Sequence, residues 1–429
     1  MIQIGPMPSG GHPAASTELR PRLTERHVLA LGLGVSAAFV AAAALTAMVA
    51  IATGGSSWAA LHLALAGAAT VAIGAFMPHF AITLAGTRPA PSGQRLAALA
   101  LLTLGSLTAV LGVTLLGGAW AAAGAGLVLA GLAGVAWHTF APLREPLARR
   151  HPVVAAAYGT ALLELAIGVA LGGMGAAGVS AVTANWALTR PAHAWLTLFG
   201  AVSLTIFGTL VYLAPTVLGA RIKAGWALVA GVVGIGLGPS VAAVAFVLDS
   251  RPGALAGVGL TVVGALGQIG YVLDSWRRRG PYTSEQDWRS VAVGHLLSGP
   301  FWFGAAVIVA FADLAMGRSV AGWSIGILAL PLVAGWMLQE LVGSWTHLVP
   351  SVTPGDPAVH ARQRRHLAVA PRLRLVIWNV AVGLAWAGLA LELRPVAIIG
   401  FGLLAASVAV AVVALARSLT STGACLARA

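Results

Sequence analysis

The chain has very little cysteine and very little charge. Cys425 is the single cysteine among 429 residues, so no intrachain disulfide can form. Asp, Glu, Lys and Arg together make up 9% of the residues, against about 25% in soluble domains. The chain is 59% hydrophobic, and its mean hydropathy is +0.90. This composition excludes a soluble globular domain and predicts an all-α fold, a polytopic helical membrane protein.

Motifs for nucleotide or hydrolase chemistry are also missing. The sequence has no phosphate-binding loop, no GxSxG nucleophile turn and no Cys/His spacing of a structural zinc site. The glycine-rich run GVVGIGLG at 231–238 lies inside an apolar stretch. There it is typical of close helix packing rather than of a nucleotide-binding loop.

Twelve apolar stretches each approach or exceed the ~20 residues that a helix needs to cross a bilayer. We divide the chain into a polar N-terminal tail (1–27), a membrane domain (28–417) and a C-terminal tail (418–429). No period of 20–50 residues is evident, so the sequence predicts no repeats. The predicted spans are 28–53, 58–85, 96–116, 120–143, 153–176, 195–218, 226–248, 254–276, 291–314, 322–350, 373–391 and 395–416.

The positions of the basic residues predict the orientation. An even number of spans places both tails on one side. That side carries 21 of the 25 Lys and Arg residues, and the other side has Arg190, Arg251, Arg318 and Arg394. The bias predicts a plasma-membrane protein with both termini in the cytoplasm. It also accounts for the net charge of +13, because basic loops face the anionic inner leaflet of the lipid bilayer, so nucleic acid is not an expected partner.

Histidines fall at two levels of the predicted bundle. His62 and His193 lie near the outer ends of the second and sixth spans. Four others lie near inner ends, namely His79, His138, His295 and His347. Imidazole suits haem iron, copper and zinc, so each level is a candidate cofactor site. The alternative is that these histidines lie in the headgroup zone and have no functional role.

Two acidic residues, Glu164 and Glu340, fall in the middle of the fifth and tenth predicted spans. The spacing of Trp336, Glu340, Gly343 and His347 places those four residues on one helix face. A buried carboxyl group can relay protons or order a ligand histidine. It can also be a protonated Glu that is hydrogen-bonded to a neighbouring helix, and we expect Glu340 to be either protonated or paired.

The chain resembles subunit I of the haem-copper oxidases in its twelve spans, in the cytoplasmic position of both termini and in its histidines early in spans two and six. The phrase HAWLTLFGAVSLTIFGTLVYLAPTVLG resembles a stretch of the divergent NnrS-like branch of these membrane proteins. The phrase WMLQELVGSWTHLVPSVTPGDP at 336–357 looks like the tenth-span region of actinobacterial relatives labelled copper oxidases.

The resemblance implies haem b or copper as cofactor, with an electron-transfer or cupredoxin partner on the outer face. By position, His62 resembles the oxidases' haem ligand in the second span, and His193 resembles their copper ligand in the sixth. The histidines expected in the seventh span and at the outer end of the tenth are missing. A three-histidine copper centre cannot be assembled, so we do not expect oxygen reduction or proton pumping.

Three functions follow as hypotheses. The first is a haem- or copper-binding membrane protein in redox chemistry, copper handling or nitric-oxide tolerance, with candidate ligands His62, His193, His295 and His347. The second is a proton-coupled transporter that uses Glu164 and Glu340. Broken helices at mid-membrane would favour it, but spans six and ten show no central Gly-Pro break. The third is a non-catalytic subunit whose basic loops dock a partner.

Overall fold

The computed structural model is all-helical over the residues that it describes, which are 24–145, 152–280, 287–317, 319–321, 323–353 and 355–426. Twelve helical segments are long and apolar enough to cross a membrane, as predicted, and we number them as spans 1 to 12. They are Glu25–Thr53, Trp58–Ala85, Ser92–Leu116, Gly118–Leu143, Pro152–Ala176, Trp186–Leu218, Trp226–Val247, Arg251–Arg277, Arg289–Met316, Gly326–Val352, Pro371–Ala390 and Arg394–Thr420.

The helix ends differ from the predicted ones at several places. The first helix begins at Glu25, within the predicted tail, and residues 1–23 lie outside the described part. Span 6 begins at Trp186, nine residues before the predicted start. The last helix continues to Leu426, ten residues beyond the predicted end of its span. Two further short helices, Ser180–Thr183 and Pro357–Leu367, lie between spans.

Contacts between loops and helix ends define the two ends of the bundle. Glu25 and Arg95, at the starts of spans 1 and 3, are bonded to each other, and we call their end proximal. Arg251, at the start of span 8, bonds the carbonyl of Leu314 near the end of span 9. We call this opposite end distal. Spans 2, 6 and 10 run from the distal end to the proximal end.

Spans 2, 6 and 10 form the interior of the bundle. Their most apolar stretches are 72%, 78% and 61% buried, and none of the other nine described spans exceeds 50%. Spans 3 and 4, 7 and 8, and 11 and 12 pack as close pairs, because glycines let the backbones approach. Gly124 lies against Ala109, Gly257 against Ala242 and Gly400 against Ala385. This is the small-residue packing expected of helices in lipid.

The twelve spans therefore form three groups of four, in which the second span is internal and the last two are a close pair. Gly67, Gly200 and Gly335 occupy matching positions in spans 2, 6 and 10. Each lies against a side chain from the first span of its own group, namely Phe39, Glu164 and Trp302 respectively. The sequence shows no repeat with a period of 20–50 residues because the period of this repeat exceeds 130 residues.

Each of these three glycines lies in a π-helical segment. The segments are Leu63–Ala69, Trp195–Val202 and Pro331–Met337, and a fourth, Gly112–Leu116, lies in span 3. π-Helical turns are rare and occur frequently at functional sites. The sequence has no central Gly-Pro break in spans 6 and 10, and the structure shows a π segment in each of them instead. Pro331 is the first residue of the π segment in span 10.

Side-chain donors satisfy the carbonyl groups that the π turns displace. Thr70 and Ser203, each three residues after the glycine of its segment, donate to the carbonyls of Leu65 (3.0 Å) and Leu198 (2.8 Å). In span 10 the donors are an indole and an amide group. Trp378 Nε1 donates to the carbonyl of Ala334, and Gln339 Nε2 donates to the carbonyl of Gly335. These bonds stabilise the segments because buried carbonyls need partners in an apolar setting.

Candidate metal site and central cavity

His62 and His193 lie side by side at the distal end of the bundle. Their ring centres are 6.4 Å apart, and their planes are within 6° of parallel. The predicted match in level between the two histidines is therefore confirmed. His62 directly precedes the π segment of span 2, and His193 lies two residues before that of span 6, so both are at the distal ends of these segments.

Backbone carbonyls fix the tautomer of both rings. His62 Nδ1 donates to the carbonyl of Trp58 at 2.8 Å, and His193 Nδ1 donates to that of Gly168 at 2.7 Å. A carbonyl oxygen can only accept, so in a neutral ring the proton is on Nδ1 and the lone pair is on Nε2. This is the arrangement in which a histidine binds a metal ion through Nε2 while a second contact orients it.

Neighbouring side chains hold the two rings in place. Trp58 stacks on His62, with ring centres 3.9 Å apart. Gly172 of span 5 lies against His193, where an added Cβ would be 2.9 Å from Cε1. Trp195 stacks on Phe199 and contacts Trp323, so that an aromatic cluster fills the interior next to His193.

The distance between the two rings is close to that of two imidazoles that share one metal ion. With metal–nitrogen bonds of about 2.0–2.1 Å, and ring centres roughly 1 Å beyond each nitrogen, two imidazoles across one ion have centres about 6 Å apart. Copper and haem iron both accept imidazole nitrogen. Among the described residues, no group of three or more His, Cys, Asp or Glu side chains is arranged to hold a metal ion.

His295 belongs to a buried polar network in the third group of spans. Its Nδ1 donates to Oε1 of Gln339 at 2.9 Å, while the amide nitrogen of Gln339 donates to the carbonyl of Gly335 and to Asn379 Oδ1. Trp302 Nε1 also donates to Asn379 Oδ1, at 2.7 Å. The network joins spans 9, 10 and 11 and leaves Nε2 of His295 buried without a hydrogen-bond partner.

His347 lies eight residues after Gln339 in span 10. At ~1.5 Å per residue this is about 12 Å along the helix from the level of His295. The structure therefore offers less support for a cofactor between His295 and His347 than for one between His62 and His193. Of the other inner histidines, His138 is buried in span 4, and Nδ1 of His79 lies 3.4 Å from Oε1 of Glu25.

Glu164 is buried in span 5, between spans 6 and 7. Its Oε1 accepts a hydrogen bond of 2.6 Å from Ser240, and its Oε2 lies against Gly200. A side chain larger than glycine at position 200 would displace this carboxyl group. Ser240 belongs to span 7, so one oxygen of Glu164 is hydrogen-bonded to a neighbouring helix.

Glu340 is 3% exposed, and neither of its carboxyl oxygens has a hydrogen-bond partner in the described part of the chain. The carboxyl group lies against Gly299 of span 9. Trp336 contacts Phe303 and Gly343 contacts Leu296, both also in span 9. The predicted shared face is therefore confirmed for Trp336, Glu340 and Gly343.

Glu340 also lines a central cavity, whose lining residues belong to spans 2, 6 and 10. Each span contributes six residues, at 2, 5, 6, 9, 10 and 13 positions after Gly67, Gly200 and Gly335 respectively. The cavity thus has approximate threefold symmetry and runs from the middle of the bundle towards the proximal end. The cavity was not predicted, although the equal spacings from the three glycines are visible in the sequence.

A charged cluster at the proximal end was also missed. Arg95 is 1% exposed and bonds both oxygens of Glu25 as well as the carbonyl of Ala75. Seventy residues separate the two charged side chains, so no local pattern indicates the pair. It ties spans 1, 2 and 3 together.

No family model and no curated protein matches this chain. The likeness to haem-copper oxidases therefore remains an expectation from the sequence. Two features of this protein bear on its function, namely the distal histidine pair and the central cavity.

Proposed function

We propose that this polytopic membrane protein binds one redox-active metal, as copper or haem iron, between His62 and His193 at its distal end. The observation that carries the proposal is the pair of parallel imidazoles, 6.4 Å apart, each with Nδ1 bonded to a carbonyl. The metal would supply one-electron chemistry, and the protein would act in electron transfer, copper handling or nitric-oxide tolerance.

The chain's own residues have defined parts in this proposal. The carbonyls of Trp58 and Gly168 hold each ring with Nε2 available. If the metal is copper, the two histidines would leave room for an exogenous ligand such as nitric oxide, whereas a haem iron held by both histidines would serve electron transfer. If the basic side of the bundle faces the cytoplasm, the site is accessible to a partner outside the cell.

The test is metal content of the purified full-length protein in lipid nanodiscs. We expect about one copper or haem per chain, and we expect His62→Ala and His193→Ala each to lose it. His295→Ala and His347→Ala should retain it and serve as matched controls. A Soret band distinguishes haem from copper. Full retention in the first two variants, or no uptake by the unmodified protein, would refute the proposal.

A proton-coupled transporter is the second candidate. The π segments in spans 2, 6 and 10 favour it, because interrupted helices around a central site are a feature of secondary transporters. Glu340 lines the cavity between these spans, whereas Glu164 lies outside it. Uptake into proteoliposomes that depends on a pH gradient and is abolished by Glu340→Gln would support transport, and uptake unaffected by the gradient would exclude proton coupling.

A further inference from the structure

The polar network in the third group of spans fixes which nitrogen of His295 carries the proton. Asn379 Nδ2 donates to the carbonyl of Leu375 at 2.9 Å, so Asn379 Oδ1 is an acceptor. The amide nitrogen of Gln339 donates to that oxygen, so Gln339 Oε1 accepts the bond from His295 Nδ1. In a neutral ring the lone pair is then on Nε2, which is buried and has no hydrogen-bond partner in the described part of the chain.

Glu340 presents the complementary group. It is 3% exposed, both of its oxygens are buried without a partner, and the ion pairs among the described residues involve other acids. Burying an ionised carboxylate without a counter-charge is costly, so we expect this carboxyl group to be protonated. A protonated carboxyl group has one O–H donor. This donor lacks an acceptor, just as Nε2 of His295 lacks a donor.

The two groups lie one helical turn apart at the contact between spans 9 and 10. The carboxyl group of Glu340 lies against Gly299, and His295 is four residues before this glycine on span 9. Positions four residues apart are neighbours on one helix face, about 5–6 Å from each other. Gln339 holds the ring of His295, whereas no hydrogen bond holds the carboxyl group. The carboxyl group is therefore the part that can move.

Other titratable groups around this pair are few. The charge of Arg374 on span 11 acts on His295, and that of Arg289 on span 9 acts on His347. His347 lies seven residues beyond Glu340, or about 10 Å along span 10. Spans 2 and 6 add no titratable side chain to the cavity that Glu340 lines. Both arginines keep their protons, so direct exchange of a proton is confined to Glu340 and His295.

We propose that Glu340 and His295 form a proton-binding site inside the third group of spans. The carboxyl group rotates from Gly299 towards the ring, and its O–H donates to Nε2. If the proton is transferred, the O–H bond breaks and an N–H bond forms, so that a neutral pair becomes a carboxylate beside an imidazolium with the same total charge. The site does not depend on the distal metal, and it would supply the proton site that the transport candidate needs.

The test is infrared spectroscopy of the full-length protein in nanodiscs. A protonated carboxyl group has a C=O stretching band that a carboxylate lacks, and hydrogen bonding lowers the frequency of this band. We expect Glu340→Gln to remove one such band. In His295→Asn the amide can still donate to Gln339, but the acceptor at Nε2 is lost, so the Glu340 band should move to higher frequency.

Two further variants separate this bond from a general effect on structure. His295→Gln offers an amide oxygen in place of Nε2 and should return the Glu340 band towards its original frequency. Glu164→Gln removes the carboxyl group that is bonded to Ser240, and it should leave the Glu340 band unchanged.

Nitrogen-15 NMR of labelled histidine supplies a measurement that needs no variant of His295. In the unmodified protein, Nε2 of His295 should give the signal of a hydrogen-bonded acceptor nitrogen. In Glu340→Met, which has no donor, one histidine signal should shift to that of an unbonded lone pair.

An unchanged Glu340 band in His295→Asn would overturn the proposal, as would the failure of Glu340→Gln to remove any band of a protonated carboxyl group. The proposal also fails if no histidine signal responds to Glu340→Met. Metal content, measured on the same samples, should remain that of the unmodified protein in every variant. Failure of the proton site therefore leaves the distal histidine site untouched, and the reverse also holds.

Discussion

Arg95 Nη1 donates to both carboxylate oxygens of Glu25, at 2.9 and 2.8 Å, and its Nη2 donates to the carbonyl of Ala75. The arginine side chain is 1% exposed and that of Glu25 is 17% exposed. Removing one partner of such a pair leaves a buried charge without compensation, which costs far more than removing both.

We expect Arg95→Met to lower the free energy of unfolding by about 3–5 kcal/mol. The double variant Glu25→Gln with Arg95→Met should recover most of this loss. Unfolding in detergent, followed by circular dichroism, measures both. The matched control is Arg278→Met, which breaks a half-exposed pair with Asp274 and should cost less than about 1 kcal/mol. Equal effects of Arg95→Met and Arg278→Met would contradict the prediction.

Gly172 provides a way to disturb His193 without changing it. An alanine there would place Cβ 2.9 Å from Cε1 and 3.1 Å from Nδ1 of the ring, so the ring must move and its bond to Gly168 must lengthen. We expect Gly172→Ala to reduce metal affinity about tenfold or more. Competition with a copper chelator measures this change. Gly126→Ala, at a helical glycine with open space around it, should leave affinity unchanged.

The network around Asn379 should affect stability and not metal content. In Asn379→Leu, Trp302 Nε1 and Gln339 Nε2 both lose an acceptor. Each unsatisfied buried group costs about 1–3 kcal/mol, so the unfolding midpoint should fall clearly. Metal content should remain that of the unmodified protein, since the network lies around His295. Loss of metal in Asn379→Leu would place the site in the third group of spans instead.

Orientation is tested by reporter fusions after residues 150 and 279 and at the C-terminus. The charge bias predicts a cytoplasmic signal at all three positions. The twelve-span count requires these three positions to lie on one side, so a mixed result would contradict the topology. A uniform external signal would instead reverse the orientation and put the histidine pair in the cytoplasm.

The number and approximate ends of the spans are predictable from the sequence because apolar length alone determines them. The matched level of His62 and His193 is predictable for the same reason, since depth follows from position within a span. The glycine run in span 7 packs as expected, with Gly234 against Gly264 of span 8.

Lateral contacts are not predictable in this way. The pairing of Arg95 with Glu25, and of His295 with Gln339, depends on which helices are neighbours and how each is rotated. The π segments were missed because their cause is also lateral. The carbonyl of Ala66 in span 2 accepts a bond from Ser106 of span 3, and that of Ala68 accepts one from Ser36 of span 1. A hydropathy pattern contains no information on such partners.

The near-threefold form of the cavity has a consequence for any molecule inside it. Three identical walls would offer three equivalent poses related by rotations of one third of a turn, and a ligand would exchange among them. Ala72 and Thr205 differ from Glu340 at the equivalent positions, so the rotational degeneracy is lifted. A molecule in the cavity would therefore meet three different walls, and its three rotated poses would differ in energy.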